Sequence, residues 1–177
     1  MREDMRRILH ESGVTTVFVT HDQEEALRLA DELVVMDEGH VLQSGAPEDV
    51  YRYPASLKVA EFLAKVNVVD GFANHGTVKT SIGTLWLNDP TLIGPVDVVL
   101  FPESILVIAD TIGSIGSIDL RGTATVEDVS YFGFHQMVTL KLDDGTSLQV
   151  RTWSHRSLEL GQHVHLTVDT PVVAFPK

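Results

Sequence analysis

The stretch Thr15–Leu27, TTVFVTHDQEEAL, decides the fold of the first part of the chain. Residues Thr15–Thr20 are β-branched or apolar without polar alternation, which predicts a strand buried on both faces of a parallel sheet. Asp22 is suited to cap a following helix, Gln23–Ala30, whose first turn carries acidic residues favoured by the helix dipole. His21 then lies at the carboxyl end of the predicted strand, the edge at which open α/β sheets bind ligands.

The residues around this stretch complete an α/β pattern. A helix is predicted over Arg2–Glu11, and a hairpin is predicted at Asp37-Glu38-Gly39, between Leu33–Met36 and His40–Gln43. Two short helices, Pro47–Arg52 and Ser56–Ala64, follow. A doubly covered strand needs neighbours on both sides, and the chain encodes only one obvious candidate. We therefore expect the missing strands to lie upstream or in another chain.

The hydrophobic pattern changes at about Val66, where short strand-like segments at close spacing begin. Such a series predicts a small barrel or sandwich. We therefore expect an α+β chain with two domains, residues 1–66 and residues 67–177, and a loop at Gly113–Ser117 between two halves of the β region. The predicted strands are Val68–Ala73, Thr77–Thr80, Leu85–Leu87, Val96–Phe101, Ser104–Ile108, Thr123–Val129, Met137–Leu142, Ser147–Thr152 and His163–Val168.

Charge and composition exclude several classes of protein. The formal net charge is -12 and there are no cysteines, so disulfides and thiolate metal sites are excluded. A strongly anionic chain without a basic stripe repels phosphate backbones, and we expect no nucleic-acid partner. The longest apolar runs are too short to span a bilayer, which predicts no direct membrane insertion.

His21 is the candidate for chemistry. At the end of a strand its ring can donate a hydrogen bond to a terminal phosphate oxygen or to an attacking water. On the residue pattern alone, a histidine at a strand end is more often a structural hydrogen-bonding residue. Three other histidines, His155, His163 and His165, lack a cysteine or carboxylate spacing that completes a metal site, so we predict solvated barrel-face histidines and no metal.

Five aromatic residues of the β region invite a comparison with base-stacking surfaces on OB folds. No Lys or Arg is interleaved with them, so we expect them to pack in the core. They are Trp86, Tyr131, Phe132, Phe134 and Trp153.

A family resemblance gives these patterns more meaning. Thr20–Leu27, followed by Ala30–Gly39 and Val41–Pro54, strongly resembles the histidine switch region and the close of the nucleotide-binding domain in ABC-type ATPases. The β region is similar to the accessory TOBE domain of importer ATPases, an OB-like barrel. It is most similar to that of sulfate/thiosulfate importer subunits, through Glu61–Asn67 and Gly94–Glu103. On this resemblance His21 is the switch histidine that contacts the γ-phosphate of ATP and helps to position the hydrolytic water.

The departures from that family are equally informative. The sequence contains no Gly-x-x-x-x-Gly-Lys-Ser/Thr loop and no Leu-Ser-Gly-Gly-Gln signature. Its apolar run that ends in Asp-Glu, Leu33–Met36 before Asp37-Glu38, is assigned to the predicted hairpin and not to a magnesium site. We therefore expect only the C-terminal part of such a subunit, with ATP and Mg as cofactors of the full-length protein. This fragment should bind neither tightly and should not hydrolyse ATP alone. The resemblance implies sulfate/thiosulfate or another small anion as the solute, although Phe101 stands where such subunits usually have Arg.

The resemblance also implies partners and a location. A full-length subunit would work as a homodimer or larger with permease subunits, in the cytoplasm at the inner face of the cell membrane. The chain alone is expected to be a dimer or larger, because the strand Thr16–Thr20 lacks its neighbours. The alternative interpretation is a freestanding OB-type module that binds a small anion or regulates a partner.

Overall fold

Two compact units, Met1–Ala55 and Ser56–Lys177, make up the chain in the computed structural model. The structure describes residue 8 and residues 11–109, 122–155 and 157–177. Most of the predicted N-terminal helix and all of the predicted loop Gly113–Ser117 lie outside these residues. Each unit is described separately below.

The first unit contains two short helices and one hairpin. Helix α1 is Gln23–Leu29, the hairpin strands are β1, Leu33–Asp37, and β2, His40–Gly45, and helix α2 is Pro47–Arg52. The Asp22 side chain caps α1 by accepting a hydrogen bond from the Glu25 backbone N–H, which confirms the predicted cap. The predicted hairpin turn is also confirmed, because Glu38 and Gly39 both have positive φ.

The predicted strand Thr15–Thr20 is wrong for this structure. Residues 14–20 belong to no strand, and Val17 and Val19 are 88% and 85% exposed. The physical reason is the lack of neighbouring strands, because a strand forms only when neighbours take up its backbone hydrogen bonds. Among the described residues, the pairings of β1 and β2 are with each other and not with this segment. The segment is rich in β-branched residues and joins no sheet in this structure.

The second unit begins with helix α3, Leu57–Leu63, which is capped by Ser56. Its buried face consists of Val59, Ala60 and Leu63, and it contacts a strand of the β region, β6. This packing places α3 with the β region, whereas the change in sequence pattern lies at Val66. The strands that follow are β3 Asn67–Asn74, β4 Thr77–Thr80, β5 Gly83–Trp86, β6 Ile93–Leu100, β7 Leu106–Ala109, β8 Gly122–Tyr131, β9 His135–Leu142, β10 Ser147–Trp153, β11 His163–Thr167 and β12 Val173–Pro176.

These strands form two five-stranded antiparallel sheets that share one core. The first has the order β12-β6-β3-β4-β5, and the second has the order β10-β9-β8-β11-β7. In the first sheet, Leu87 beyond β5 forms a parallel bridge to Val172 before β12, which joins the two edges. A five-stranded sheet that curls and closes in this way is an OB-like barrel, as the sequence predicted.

The two sheets exchange one strand each. Strand β7 follows β6 in the chain but pairs with β11 in the second sheet, and β12 follows β11 but pairs with β6 in the first. The first sheet thus consists of the consecutive strands β3 to β6 plus β12, and the second consists of the consecutive strands β8 to β11 plus β7. The sequence analysis found the nine earlier strands of this region and missed β12.

The exchange brings the two sheets close at particular residues. Asn67 is buried, its side-chain N–H donates to the carbonyls of Leu100 and Gln149, and its side-chain oxygen accepts from the Gln149 N–H. Gly122 lies against the backbone of Ile82, where an added Cβ would come within 3.2 Å of the Ile82 Cα. These contacts connect β3 to β10 and β8 to the β4–β5 turn.

Candidate functional site

His21 lies in a bend between the exposed segment of residues 14–20 and helix α1. Thr20 and Asp22 on either side of it are held by hydrogen bonds. The Thr20 hydroxyl donates to a Glu25 carboxylate oxygen at 3.0 Å and accepts from the Asp22 backbone N–H at 3.0 Å. The helix start therefore anchors the chain around His21, while the His21 side chain itself is exposed to solvent.

The surroundings of His21 are acidic. Asp22, Glu24 and Glu25 all lie at the N-terminus of α1, and their carboxylates repel a phosphate chain. In this structure the residues that precede His21 are exposed and form no sheet edge. The chain therefore does not fit ATP or Mg as a complete site: His21 can orient one phosphate oxygen or one water, but the charge to hold a triphosphate must come from other residues.

His163 is exposed, with its Nδ1 3.4 Å from the Thr125 hydroxyl, and His155 is exposed in a turn. Within the described ranges, no group of three or more His, Asp or Glu residues is arranged to hold a metal ion.

A cavity of about 430 Å³ opens in the second unit near the β9–β10 turn. It is lined by Ser81, Gly122, Thr123, Leu142, Asp143, Asp144 and His165. The Thr146 backbone N–H donates to the Asp144 carboxylate at 2.8 Å and holds the pKa of Asp144 below its usual value. Asp144 therefore stays charged at neutral pH, and a carboxylate that stays charged disfavours an anion in this cavity.

The prediction that the five aromatic residues pack in the core is wrong. Trp86 and Trp153 are 59% and 61% exposed, and Tyr131, Phe132 and Phe134 are exposed to a similar degree. They lie at strand ends and in a hairpin turn, where the side chains leave the barrel, while Val and Leu fill the core. The strand period alone does not show where a strand runs past the end of the core.

Comparison with known proteins gives three kinds of match. Residues 98–174 match the TOBE domain family. The chain is 33% identical to the Fe(3+) ions import ATP-binding protein FbpC of Pseudomonas fluorescens, over 88% of this chain and 48% of that protein. It is 36% identical to the spermidine/putrescine import ATP-binding protein PotA of Mesorhizobium japonicum, over 91% of this chain and 44% of that protein.

A third relative covers the chain from end to end. The sulfate/thiosulfate import ATP-binding protein CysA of Thermosynechococcus vestitus is 34% identical over 177 residues, which is 100% of this chain and 46% of that protein. The chain thus spans about half the length of the curated relatives that it matches.

Among solved structures, the cytoplasmic molybdate-binding protein ModG superposes with a TM-score of 0.51 at 18% identity, over 61% of this chain and 94% of that one. This likeness shows the fold of the β region. None of the helices in the described residues is both long and apolar enough to cross a bilayer.

Proposed function

Since this chain is homologous to the C-terminal parts of the ATP-binding subunits of ABC importers and contains a TOBE domain, we propose that it serves as that part of such a subunit. Residues 1–66 would complete the nucleotide-binding domain, and residues 67–177 would form the accessory barrel. The longer subunit would bind ATP and Mg, act as a homodimer with permease subunits, and work in the cytoplasm at the inner face of the membrane.

One observation carries this proposal: an apolar segment rich in β-branched residues precedes His21 and is exposed in the chain alone. Val17, Phe18 and Val19 are 88%, 51% and 85% exposed, and apolar residues in such a run belong to a sheet interior. The upstream part of an ATP-binding domain would supply the sheet. His21 would then lie at the carboxyl edge of that sheet, where it can orient the γ-phosphate or the water that attacks it.

The test is a kinetic comparison in the longer subunit. We expect His21→Ala to lower kcat by a factor on the order of 100 or more while the nucleotide Kd changes by less than about threefold, because positioning acts on the transition state. His40→Ala is the matched control, since His40 is an exposed histidine of the same unit. Equal losses in kcat and in affinity would contradict the proposal and indicate a structural histidine.

The chain alone should show no measurable phosphate release, because the phosphate loop and the signature are absent from its sequence. Release by the purified chain that His21→Ala abolishes would contradict this expectation.

For the transported solute we propose sulfate or thiosulfate. The support is the similarity of Glu61–Asn67 and Gly94–Glu103 to such subunits and the match of the whole chain to a sulfate/thiosulfate relative. The relatives that import iron or polyamines are equally similar in identity, so the solute needs its own test. Sulfate should stimulate ATP turnover of the assembled transporter, and stimulation by Fe(3+) or spermidine instead would contradict this part.

The acidic cavity argues against the alternative of a freestanding anion-binding module. An oxyanion in this cavity would face Asp143 and Asp144.

A further inference from the structure

Three hydrogen bonds enclose the backbone of His21 in a small ring. The Thr20 hydroxyl accepts from the Asp22 backbone N–H and donates to the Glu25 carboxylate, and the Asp22 carboxylate accepts from the Glu25 backbone N–H, each at 3.0 Å. A hydroxyl that bonds to the N–H two residues ahead closes a side-chain turn, and His21 is the central residue of this one. All partners lie within residues 20–25, so the ring forms without any other part of the chain.

The ring differs from an ordinary capping box by one hydroxyl. In a capping box, the carboxylate at the third helical position accepts directly from the backbone N–H of the cap residue. Here Asp22 is the cap of α1 and Glu25 is the third helical residue. The Asp22 N–H nevertheless donates to Thr20, and Thr20 in turn donates to Glu25. The side chain of the residue before His21 is thus inserted into the cap.

Capping of the helix does not require this insertion. Asp22 already accepts from the Glu25 N–H, and a glutamate at this position can take the Asp22 N–H without a mediator. The inserted hydroxyl adds a connection between the chain before His21 and the chain after it. Thr20 and Glu25 are half-buried, whereas the His21 side chain is exposed. The backbone on both sides of His21 is therefore fixed while its ring stays accessible to a ligand.

The Thr20 hydroxyl makes both of its bonds in one defined direction. A hydroxyl has a single proton, and because that proton goes to the Glu25 carboxylate, the oxygen must accept from the Asp22 N–H. A hydrogen bond to a carboxylate is stronger than one between neutral groups, and it makes the hydroxyl oxygen a better acceptor. Removal of this one hydroxyl therefore breaks the connection on both sides of His21.

We propose that Thr20 and Glu25 are positioning residues for His21. Their hydrogen bond fixes the backbone from which the imidazole reaches the γ-phosphate or the attacking water, and in this role both residues act only through His21. The inference rests on the proposed function, in which His21 orients those groups. Precise placement matters because a displacement of about 1 Å can lower a reaction rate by a factor on the order of 100.

The hydrogen bond at Asp22 can be measured by NMR in the 177-residue chain. The chemical shift of a hydrogen-bonded amide proton depends only weakly on temperature, since its acceptor is fixed. We expect a weak dependence for the Asp22 amide proton, a steeper one in Thr20→Val, and the original one in Thr20→Ser, which keeps the hydroxyl. A steep dependence in the unmodified chain, or no change in Thr20→Val, would overturn the proposal.

Kinetics of the longer subunit test the positioning role. Thr20→Val should lower kcat by a factor on the order of 10 and change the nucleotide Kd by less than about threefold, because positioning acts on the transition state. Thr20→Ser should restore kcat to within about threefold of the unmodified value. Thr16→Val is the matched control, since the Thr16 hydroxyl donates to the Val14 carbonyl within its own exposed segment, and it should leave kcat unchanged.

A double substitution separates this inference from the proposed function. In a His21→Ala background, Thr20→Val should change kcat by less than about twofold, because a residue that acts through His21 has nothing left to position. A further tenfold loss there, or an unchanged kcat in Thr20→Val alone, would overturn the positioning role and leave the role of His21 intact. An unchanged kcat in His21→Ala would overturn the proposed function, and this inference with it.

Discussion

At the scale of single residues, Asn67 is the polar side chain on which the second unit depends most. It is 8% exposed, and its three hydrogen bonds reach the backbone of both sheets, at Leu100 and at Gln149. A buried amide that satisfies backbone groups on two sheets fixes their relative register. Nothing in the amino-acid pattern distinguishes Asn67 from an ordinary polar residue at the start of a strand.

We expect Asn67→Ala to lower the free energy of unfolding by about 2–3 kcal/mol, because it leaves the buried Gln149 N–H without its acceptor. Asn74→Ala, on the exposed end of the same strand, should change it by less than about 0.5 kcal/mol. Urea unfolding followed by circular dichroism measures both. Equal effects of the two substitutions would contradict the assigned role of Asn67.

A second residue-scale feature is the C-terminal lysine of the barrel. Asp70 and Asp97 lie directly opposite each other on β3 and β6, and the Lys177 ammonium forms ion pairs with both. The hydrogen bond to Asp70, and then that to Asp97, raise the pKa of Lys177 above its usual value. The cation offsets the repulsion of two like charges at a cross-strand position.

At the scale of elements, the exchange of β7 and β12 between the sheets is the main structural finding. Because each sheet contains a strand of the other, neither can unfold while the other stays intact. The two tryptophans of the chain report separately on the unfolding of the two sheets, since Trp86 ends β5 in the first sheet and Trp153 ends β10 in the second.

We expect single-tryptophan variants, Trp153→Phe and Trp86→Phe, to give coincident urea midpoints by fluorescence, as for one cooperative unit. The midpoints are measured at two protein concentrations, so that any shift caused by association is detected. Two resolved transitions would contradict the strand exchange.

The elements also show what sequence reasoning can and cannot reach. Helix α2, the hairpin turn at Glu38-Gly39 and the cap at Asp22 follow from local chemistry, because Pro, Gly and Asp act within a few residues of their position. The prediction of a strand at Thr15–Thr20 was wrong, because the formation of a strand depends on neighbouring strands that the local pattern does not contain. The exchange of β12 and the exposure of Phe134 depend on where distant strands meet, and period and propensity carry no information about that.

At the scale of the whole molecule, the candidate site is incomplete by its own geometry. His21 was identified from sequence, and the structure locates it in a solvent-exposed bend beside a capped helix. The proposed function would explain both the exposed position of His21 and the apolar segment before it, because in a longer subunit the segment would join a sheet and His21 would lie at its edge. The barrel, by contrast, has its own core and its own exposed surface.

Amide hydrogen exchange at Val17, Phe18 and Val19 tests this account most directly. In the chain alone these backbone N–H groups should exchange close to the unprotected rate, since residues 14–20 lie in no strand. In the longer subunit the same groups should exchange more slowly by a factor on the order of 100 or more, as ladder hydrogen bonds of an interior strand do. Equal, fast exchange in both proteins, or strong protection in the monomeric chain alone, would contradict the claim that this segment completes an ATP-binding domain.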